Sequence, residues 1–199
     1  EGVFSLFEDY AKKHHFTEEF GGLICGVRLN NTENREVTHF KYRDMESDLY
    51  ESNLNKMEEL SNDIKGRFKK ILIFGIGGSY LGPRLMEDIF ASQDIQIKFI
   101  TGSDPAEYYK FTKQDLSEYA FIITSKSFST IETLSSYTAI TKGKFFDQTY
   151  AVTSDIKKAE SYGLDLNNIA KIDIGTGGRF SLWSAFNLGL FIFTNQGKR

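Results

Sequence analysis

Two segments of the chain concentrate residue types that bind anions. The first reads Gly-Ile-Gly-Gly-Ser-Tyr-Leu-Gly-Pro from Gly75 to Pro83 and follows the apolar run Ile71 to Phe74. Glycines let a backbone approach a ligand closely, and a helix that begins after them offers unpaired N–H groups to an anion. Two nucleotide motifs fit poorly, because the dinucleotide fingerprint needs glycine where Tyr80 stands and the P-loop needs lysine where Pro83 stands. A tight strand-to-helix turn that binds nothing remains the alternative.

The second segment runs from Ser125 to Thr133 and reads Ser-Lys-Ser-Phe-Ser-Thr-Ile-Glu-Thr. Its hydroxyl groups and the N–H groups of a first helical turn suit a phosphate monoester, which presents several acceptor oxygens close together. The alternative is an ordinary helix start, with Ser129 as the N-cap and Glu132 completing a capping box. A capping box leaves three hydroxyl residues without a reason, so phosphate binding is the stronger hypothesis. These three are Ser125, Ser127 and Thr130.

A third segment, Gly175 to Ser184, places Arg179 directly after a predicted strand. A guanidinium stays cationic and can stabilise a developing enediolate oxygen without transferring a proton. The alternative role for this arginine is a surface salt bridge. Trp183, in the same segment, is expected in the core.

Alternating strands and helices position these segments. Short runs rich in β-branched and aromatic residues predict five strands, at Lys70–Phe74, Ile95–Thr101, Ala120–Thr124, Thr149–Thr153 and Ile169–Ile174. Apolar spacing between them predicts helices at Tyr80–Ala91, Pro105–Phe111, Ser129–Thr141 and Asp155–Tyr162. This alternation favours a parallel, doubly wound α/β sheet. In flavodoxin-like order the first and third strands are neighbours, so the two anion-binding segments meet where strand order reverses, and ligands bind at such points.

The residues before Lys69 predict a different organisation. Val3 to Phe16 and Asp44 to Phe68 have helical patterns, and Gly26 to His39 is irregular. We therefore expect a helical N-terminal extension, residues 1–68, packed on a sheet domain, residues 69–199.

Composition restricts the partners and the compartment. The chain has 199 residues, with 24 Lys and Arg against 27 Asp and Glu, so it lacks the basic footprint of a nucleic-acid-binding protein. Cys25 is the only cysteine and is expected to be a free buried thiol in a reducing compartment. No secretory signal and no apolar window of membrane-spanning length is present, which indicates a cytoplasmic protein without membrane contact. The first residue, Glu1, and the last, Arg199, suggest a piece of a longer polypeptide.

Taken together, the three segments resemble the phosphoglucose isomerase family. The similarity rests on Gly-Ile-Gly-Gly-Ser-Tyr-Leu-Gly-Pro at 75–83, Ser-Lys-Ser-Phe-Ser-Thr-Ile-Glu-Thr at 125–133 and Gly-Gly-Arg-Phe-Ser-Leu-Trp-Ser at 177–184. The segment Leu29 to His39 is also similar, although Glu36 and Thr38 replace residues that are usually apolar. The resemblance covers Gly26 to Leu190. It implies a three-layer αβα sandwich with a five-stranded parallel sheet, the sugar isomerase (SIS) domain, of which family members carry a second copy that is absent here.

The resemblance also implies an activity and its residues. Family members interconvert glucose 6-phosphate and fructose 6-phosphate through a cis-enediolate, act as homodimers and need neither a metal nor another cofactor. Arg179 then faces the enediolate as the catalytic residue. The implied substrate-binding residues are Gly78, Ser79, Ser125, Lys126, Ser127, Phe128, Ser129 and Thr130, with the phosphate held chiefly by the hydroxyls of 125, 127 and 130 and the backbone of 126. Tyr80 stands where many members have aspartate and others tyrosine.

Several family residues have no counterpart in this sequence. The proton-transferring glutamate, the ring-opening histidine and a late lysine and glutamine come from later segments, so we expect the 199-residue chain alone to be inactive. His14, His15 and His39 are expected to be solvated or structural.

Two other functions stay open. One is a sugar-phosphate sensor of the same fold without catalysis, although a sensor has no enediolate for Arg179 to stabilise. The other is a Rossmann dehydrogenase in which Asp104 binds ribose, against which Tyr80 argues.

Overall fold

The computed structural model describes residues 2–90, 94–102, 104–189 and 192. Five parallel strands form its central sheet: β1 (Lys70–Phe74), β2 (Gln96–Ile100), β3 (Tyr119–Thr124), β4 (Thr149–Thr153) and β5 (Ile169–Lys171). Their order is β2-β1-β3-β4-β5, which confirms the flavodoxin-like order. The fifth strand is shorter than predicted, because the N–H of Asp173 donates to the hydroxyl of Tyr42 and so leaves the ladder.

The inner strands are apolar because both faces of the sheet are covered there, whereas Gln96 and Lys98 of the edge strand β2 are exposed. All six residues of β3 are buried, as expected for a central parallel strand. Ile73 of β1 lies between Phe99 of β2 and Ile122 of β3 in the register. The carboxyl ends of β1 and β3 therefore lie side by side.

The described residues form seven α-helices. They are α1 (Gly2–Lys13), α2 (Phe16–Ile24), α3 (Asp48–Arg67), α4 (Gly78–Phe90), α5 (Pro105–Tyr108), α6 (Ile131–Thr141) and α7 (Ile156–Ser161). Side-chain caps fix the first residues of two of these helices. For α3, the Oγ of Ser47 accepts from the N–H of Leu49 at 3.2 Å, and for α7, the side chain of Asp155 accepts from the N–H of Lys158 at 3.1 Å. The predicted end of the fourth helix at Ala91 lies outside the described residues. Short 3-10 turns include His39–Arg43 and Gly178–Trp183.

Two apolar cores lie on opposite faces of the sheet. On one face, Leu60 and Ile64 of α3 pack against Ile71 and Ile73 of β1, while Tyr80 of α4 contacts the ring of Phe99. On the other face, Tyr137 and Ile140 of α6 and Ala159 of α7 pack against Phe74 and Phe121. The alternation of β1 side chains between the cores follows from the two-residue period of a strand. The predicted three-layer αβα architecture is confirmed.

The N-terminal extension divides into a packed part and an exposed part. Helix α3 packs on the sheet as predicted. Helices α1 and α2 bury none of their residues, and Val3 and Phe4 are 79% and 78% exposed, so the prediction that the whole extension packs on the sheet is wrong. Helix α2 was not predicted, and it follows a left-handed break at His15. Cys25, expected to be buried, is exposed.

The division at residue 68 into an extension and a sheet domain remains a prediction, and its predicted end at residue 199 lies outside the described residues. Within those residues, no helix combines the length and apolarity that crossing a bilayer requires.

Candidate functional site

Four hydroxyl side chains meet between β3 and α6, in the segment Ser125–Thr130 that we term the hydroxyl loop. The Oγ atoms of Ser125 and Thr130 lie 3.0 Å apart, and the Oγ of Ser129 donates to that of Ser127 at 2.7 Å. The helix N-cap is Thr130, and its side chain makes no capping hydrogen bond. The capping box of Ser129 and Glu132 is therefore wrong, because Ser129 bonds inside the loop instead.

The backbone of the hydroxyl loop is oriented by the end of β4. The carbonyl oxygen of Lys126 accepts from the Oγ1 of Thr153 at 2.9 Å, the Oγ of Ser154 at 2.7 Å and the N–H of Ser154 at 2.8 Å. Because the peptide unit is planar and trans, this turns the N–H of Ser127 away from β4. Among the described residues, the N–H groups of Ser127, Ser129 and Thr130 have no acceptor. They are available to an anion at the start of α6.

Phe128 shapes the hydroxyl loop from the core side. Its φ of 46° is left-handed, which is uncommon for a residue other than glycine and costs energy. Packing holds it there: the side chain is 3% exposed, its ring lies 5.7 Å from that of Tyr162, and its N–H donates to the carbonyl of Ser125. The side chain of Phe128 thus faces the core, and this residue can serve a ligand only through the loop conformation.

Thr124 connects the hydroxyl loop to the glycine-rich turn. Its Oγ1 donates to the carbonyl of Phe74 at 2.8 Å and lies 3.5 Å from the carbonyl of Ser79, which is itself 9% exposed. The neighbouring β1 and β3 bring these groups together. Thr124 was not among the predicted site residues, although a polar residue that closes an apolar strand could have indicated it.

Gly78 brings the turn that carries Arg179 against the glycine-rich turn. A Cβ on Gly78 would lie 2.0 Å from the carbonyl oxygen of Gly178 and 2.8 Å from the backbone nitrogen of Arg179. No other residue type fits such an approach without displacing one of the two backbones. The Oγ of Ser181 donates to the carbonyl of Gly178 at 2.6 Å within the same turn and lies 3.5 Å from the carbonyl oxygen of Gly78.

The guanidinium of Arg179 is exposed and stands over the ring of Phe180, 5.0 Å from its centroid. No carboxylate in the described part of the chain forms an ion pair with it, so the surface salt bridge considered above is wrong. Trp183, expected in the core, is 50% exposed. The turn therefore presents an exposed cation that no carboxylate of the described residues pairs, and its backbone lies against Gly78.

One more hydroxyl group, which was not among the predicted site residues, lies close in sequence to the hydroxyl loop. Thr133, in the first turn of α6, is 1% exposed, and its Oγ1 has no hydrogen-bond partner among the described residues. Buried polar groups are nearly always paired, so this atom marks a position where a ligand or water could supply the missing bond.

The residues of the competing hypotheses have structural roles. The carboxylate of Asp104, assigned to ribose in the dehydrogenase hypothesis, caps α5 by accepting from the N–H of Ala106 at 2.9 Å. His39 stacks on Phe180 with ring centroids 4.6 Å apart, and burial, with a smaller effect of Arg43, lowers its pKa. In the described ranges, no three His, Cys, Asp or Glu side chains lie close enough to hold a metal ion.

Comparison with known proteins shows the family to which the chain belongs. A family model described as phosphoglucose isomerase matches residues 1–197. Similar proteins include glucose-6-phosphate isomerases of Christiangramia forsetii, 32% identical over 94% of this chain and 40% of that protein, and of Saccharophagus degradans, 34% identical over 83% and 36%. The chain thus spans about 40% of the length of these relatives.

The fold has a solved counterpart. The crystal structure of a glucose-6-phosphate isomerase from Chlamydia trachomatis matches with a TM-score of 0.72 at 20% identity, over 92% of this chain and 41% of the other. This likeness concerns the fold, and the family assignment rests on the family model. The chain belongs to the phosphoglucose isomerase family.

Proposed function

We propose that this chain is the phosphate-binding part of a glucose-6-phosphate isomerase, which interconverts glucose 6-phosphate and fructose 6-phosphate. The observation that carries the proposal is the hydroxyl loop, where four hydroxyl groups and three N–H groups without acceptors adjoin the start of α6. A phosphate monoester offers acceptor oxygens to both kinds of donor. The proposal is further supported by the names of the relatives.

In the proposed site, the hydroxyl loop binds the phosphate and the glycine-rich turn lies beside the sugar. Ser125, Ser127 and Thr130 donate through their hydroxyls, and the backbone around Lys126 donates through N–H groups. Ser129 stays bonded to Ser127 and supports it, while Gly78 and Ser79 line the sugar. We add Thr133 to the phosphate ligands because its buried hydroxyl lacks a partner.

The reaction moves one proton between two neighbouring carbons and a second proton between the oxygens that they carry. After the sugar ring opens, a base removes the proton from the carbon beside the aldehyde, and the electron pair of that C–H bond forms the enediolate double bond. Negative charge then develops on oxygen, where Arg179 stabilises it. The ketose forms when the proton returns to the former aldehyde carbon and the hydroxyl proton of the second carbon moves to the oxygen of the first. Arg179 cannot be the base, because a guanidinium stays protonated.

The base and the ring-opening acid are assigned to residues outside this sequence, as the resemblance implies. We further propose that the complete enzyme is a cytoplasmic homodimer of glycolysis and gluconeogenesis that uses neither a metal nor another cofactor. A non-catalytic sensor of the same fold is the second candidate. The guanidinium of Arg179, which has no carboxylate partner among the described residues, favours the enzyme, since a sensor has no developing charge to stabilise.

The test compares Arg179→Ala with Arg28→Ala, whose arginine pairs with Glu19 on the exposed N-terminal part. Both are made in the full-length protein that carries this chain. Conversion of fructose 6-phosphate to glucose 6-phosphate should slow by roughly 10²–10³-fold in Arg179→Ala, with phosphate affinity nearly intact, and be unchanged in Arg28→Ala. Normal turnover in Arg179→Ala removes this residue from the mechanism. If NAD raises the Tm of the protein and the sugar phosphate does not, the proposed substrate is wrong.

A further inference from the structure

The loop that leads from β5 to Arg179 is bound by a segment from the other end of the chain. We term Asp173–Thr176 the β5 loop, and Arg35, Thr38 and Tyr42 the N-terminal clamp. The contacts between them join residues 131 to 141 positions apart in the sequence. None of these residues belongs to the site described above.

Arg35 makes the central contact of the clamp. Its Nη1 donates to the carbonyl oxygens of Ile174 and Thr176, the second at 3.2 Å, and its Nη2 pairs with Glu33. The side chain is 15% exposed; the bond to Thr176 is partly buried, whereas the bond to Ile174 is exposed. One planar guanidinium thus holds the carbonyls on both sides of Gly175. A lysine has the charge but not this rigid fork.

Thr38 and Tyr42 hold the same loop from its first residue. The Oγ1 of Thr38 donates to the Oδ1 of Asp173 at 2.6 Å, and the N–H of Asp173 donates to the hydroxyl of Tyr42 at 2.9 Å. Thr38 and Tyr42 are 4% and 3% exposed. A Cβ on Gly175 would lie 2.6 Å from the Oγ1 of Thr38, so the loop and the clamp are in direct contact.

The β5 loop ends three residues before Arg179, and beyond it Gly178 packs on Gly78. The turn that presents the guanidinium is therefore held at two places, by the clamp and by the glycine-rich turn. We infer that Arg35 is a positioning residue that sets the location of Arg179 through the β5 loop. This inference rests on the proposed function of Arg179 as the group that faces the enediolate.

A double-mutant cycle in the full-length protein tests the inference. Arg35→Gln should lower kcat by about tenfold to a hundredfold, because small misplacements of a catalytic group have effects of this size. In the Arg179→Ala background the same change should lower kcat less than about twofold, because its effect passes through Arg179. The Kd for inorganic phosphate should stay within about twofold, since the clamp does not touch the hydroxyl loop. Equal effects of Arg35→Gln in both backgrounds, or a loss of phosphate affinity in parallel with kcat, would overturn the inference.

Two further variants make the test specific. Tyr42→Phe keeps the buried ring but removes the hydroxyl that accepts from the N–H of Asp173. If Arg35→Gln does not fold, Tyr42→Phe should show the same loss of kcat in the parent, the same smaller loss in the Arg179→Ala background and the same unchanged phosphate affinity. Arg28→Gln is the control and should behave as the parent.

Trypsin cleavage after Arg179, followed by mass spectrometry, tests the clamp without reference to activity. Cleavage should be faster in Arg35→Gln or Tyr42→Phe than in Arg28→Gln, and equal rates overturn the inference. If the parent protein lacks isomerase activity, the proposed function fails, and the cleavage rates still decide whether the clamp holds the Arg179 turn.

Discussion

At the scale of residues, the candidate site is built from small donors whose neighbours have fixed their direction. The hydroxyls of Ser125 and Thr130 lie 3.0 Å apart and that of Ser127 accepts from Ser129, while the Lys126 carbonyl is occupied by three bonds from the end of β4. Donors that are already oriented lose little entropy when a ligand arrives, which favours binding.

Replacing single hydroxyls of the loop tests this arrangement. Ser127→Ala and Thr130→Ala should each weaken phosphate binding by about 1–2 kcal/mol, because each removes one hydrogen bond to a charged acceptor. Isothermal titration with inorganic phosphate measures the effect. Ser135→Ala is the control, since the Oγ of Ser135 donates to the carbonyl of Glu132 on the exposed side of α6. If both loop variants bind phosphate as the parent does, the hydroxyl loop is not the phosphate site.

Gly78 offers a second test at this scale. Gly78→Ala places a Cβ 2.0 Å from the carbonyl oxygen of Gly178, so the protein should lose about 1–3 kcal/mol of unfolding free energy, as overpacked sites do. Gly66→Ala is the matched control: nothing lies within 4 Å of its Cβ, and alanine in a helix should add about 0.5–1 kcal/mol. Urea unfolding compares the two. A Gly78→Ala protein as stable as the parent would contradict the close approach of the two turns.

At the scale of elements, the site is where three strand ends and one N-terminal segment meet. β1 supplies the glycine-rich turn, β3 the hydroxyl loop and β5 the turn with Arg179, and their order places β1 beside β3. The 3-10 turn His39–Arg43 completes the group, because His39 stacks on Phe180. Contacts between elements that are distant in sequence thus help to fix the position of Arg179.

The stacking of His39 on Phe180 predicts a pH dependence. Burial, reinforced by Arg43, lowers the pKa of His39 below the ordinary value of 6.5. The unfolded chain therefore binds the imidazole proton at higher pH than the folded chain does. The contribution of neutral His39 to the free energy of unfolding is present above pH 6.5 and is lost as the pH falls below that value. His39→Phe keeps an aromatic ring without a charge and should flatten the loss of unfolding free energy between about pH 7 and pH 5. An unchanged pH profile would show that His39 is solvated.

At the scale of the whole molecule, the chain corresponds to only part of the length of its relatives. It spans about 40% of them, and its α/β layers contain the hydroxyl loop and Arg179. Helices α1 and α2 stand apart from these layers, with none of their residues buried.

The division of the site between this chain and the rest of the protein can be measured. The 199-residue chain should bind fructose 6-phosphate weakly and convert it no faster than background. Loss of a general base alone costs typically 10²–10⁴-fold, and the other groups assigned to later segments compound it. The assay compares this chain with the full-length protein at equal concentration. Rapid conversion by the short chain would place the base within it.

The sequence by itself determined the number of strands, their approximate positions and the residue types of the site. Apolar β-branched runs predicted Lys70–Phe74 and Thr149–Thr153 with the bounds that the structure has, because a strand covered on both faces admits few polar residues. Flavodoxin-like strand order, taken as the expectation, then brought the two anion-binding segments together at the point where strand order reverses. The family motifs pointed to the same segments.

Only the tertiary structure decided which atoms meet. Thr124 reaches the glycine-rich turn, Ser129 bonds inside the hydroxyl loop instead of capping α6, and Arg35 holds the loop before Arg179. Two of these contacts join residues 45 and 141 positions apart, which local patterns do not encode. The physical reason is that a residue type limits the bonds a side chain can make, whereas the fold decides which partner lies within 3 Å or so of it.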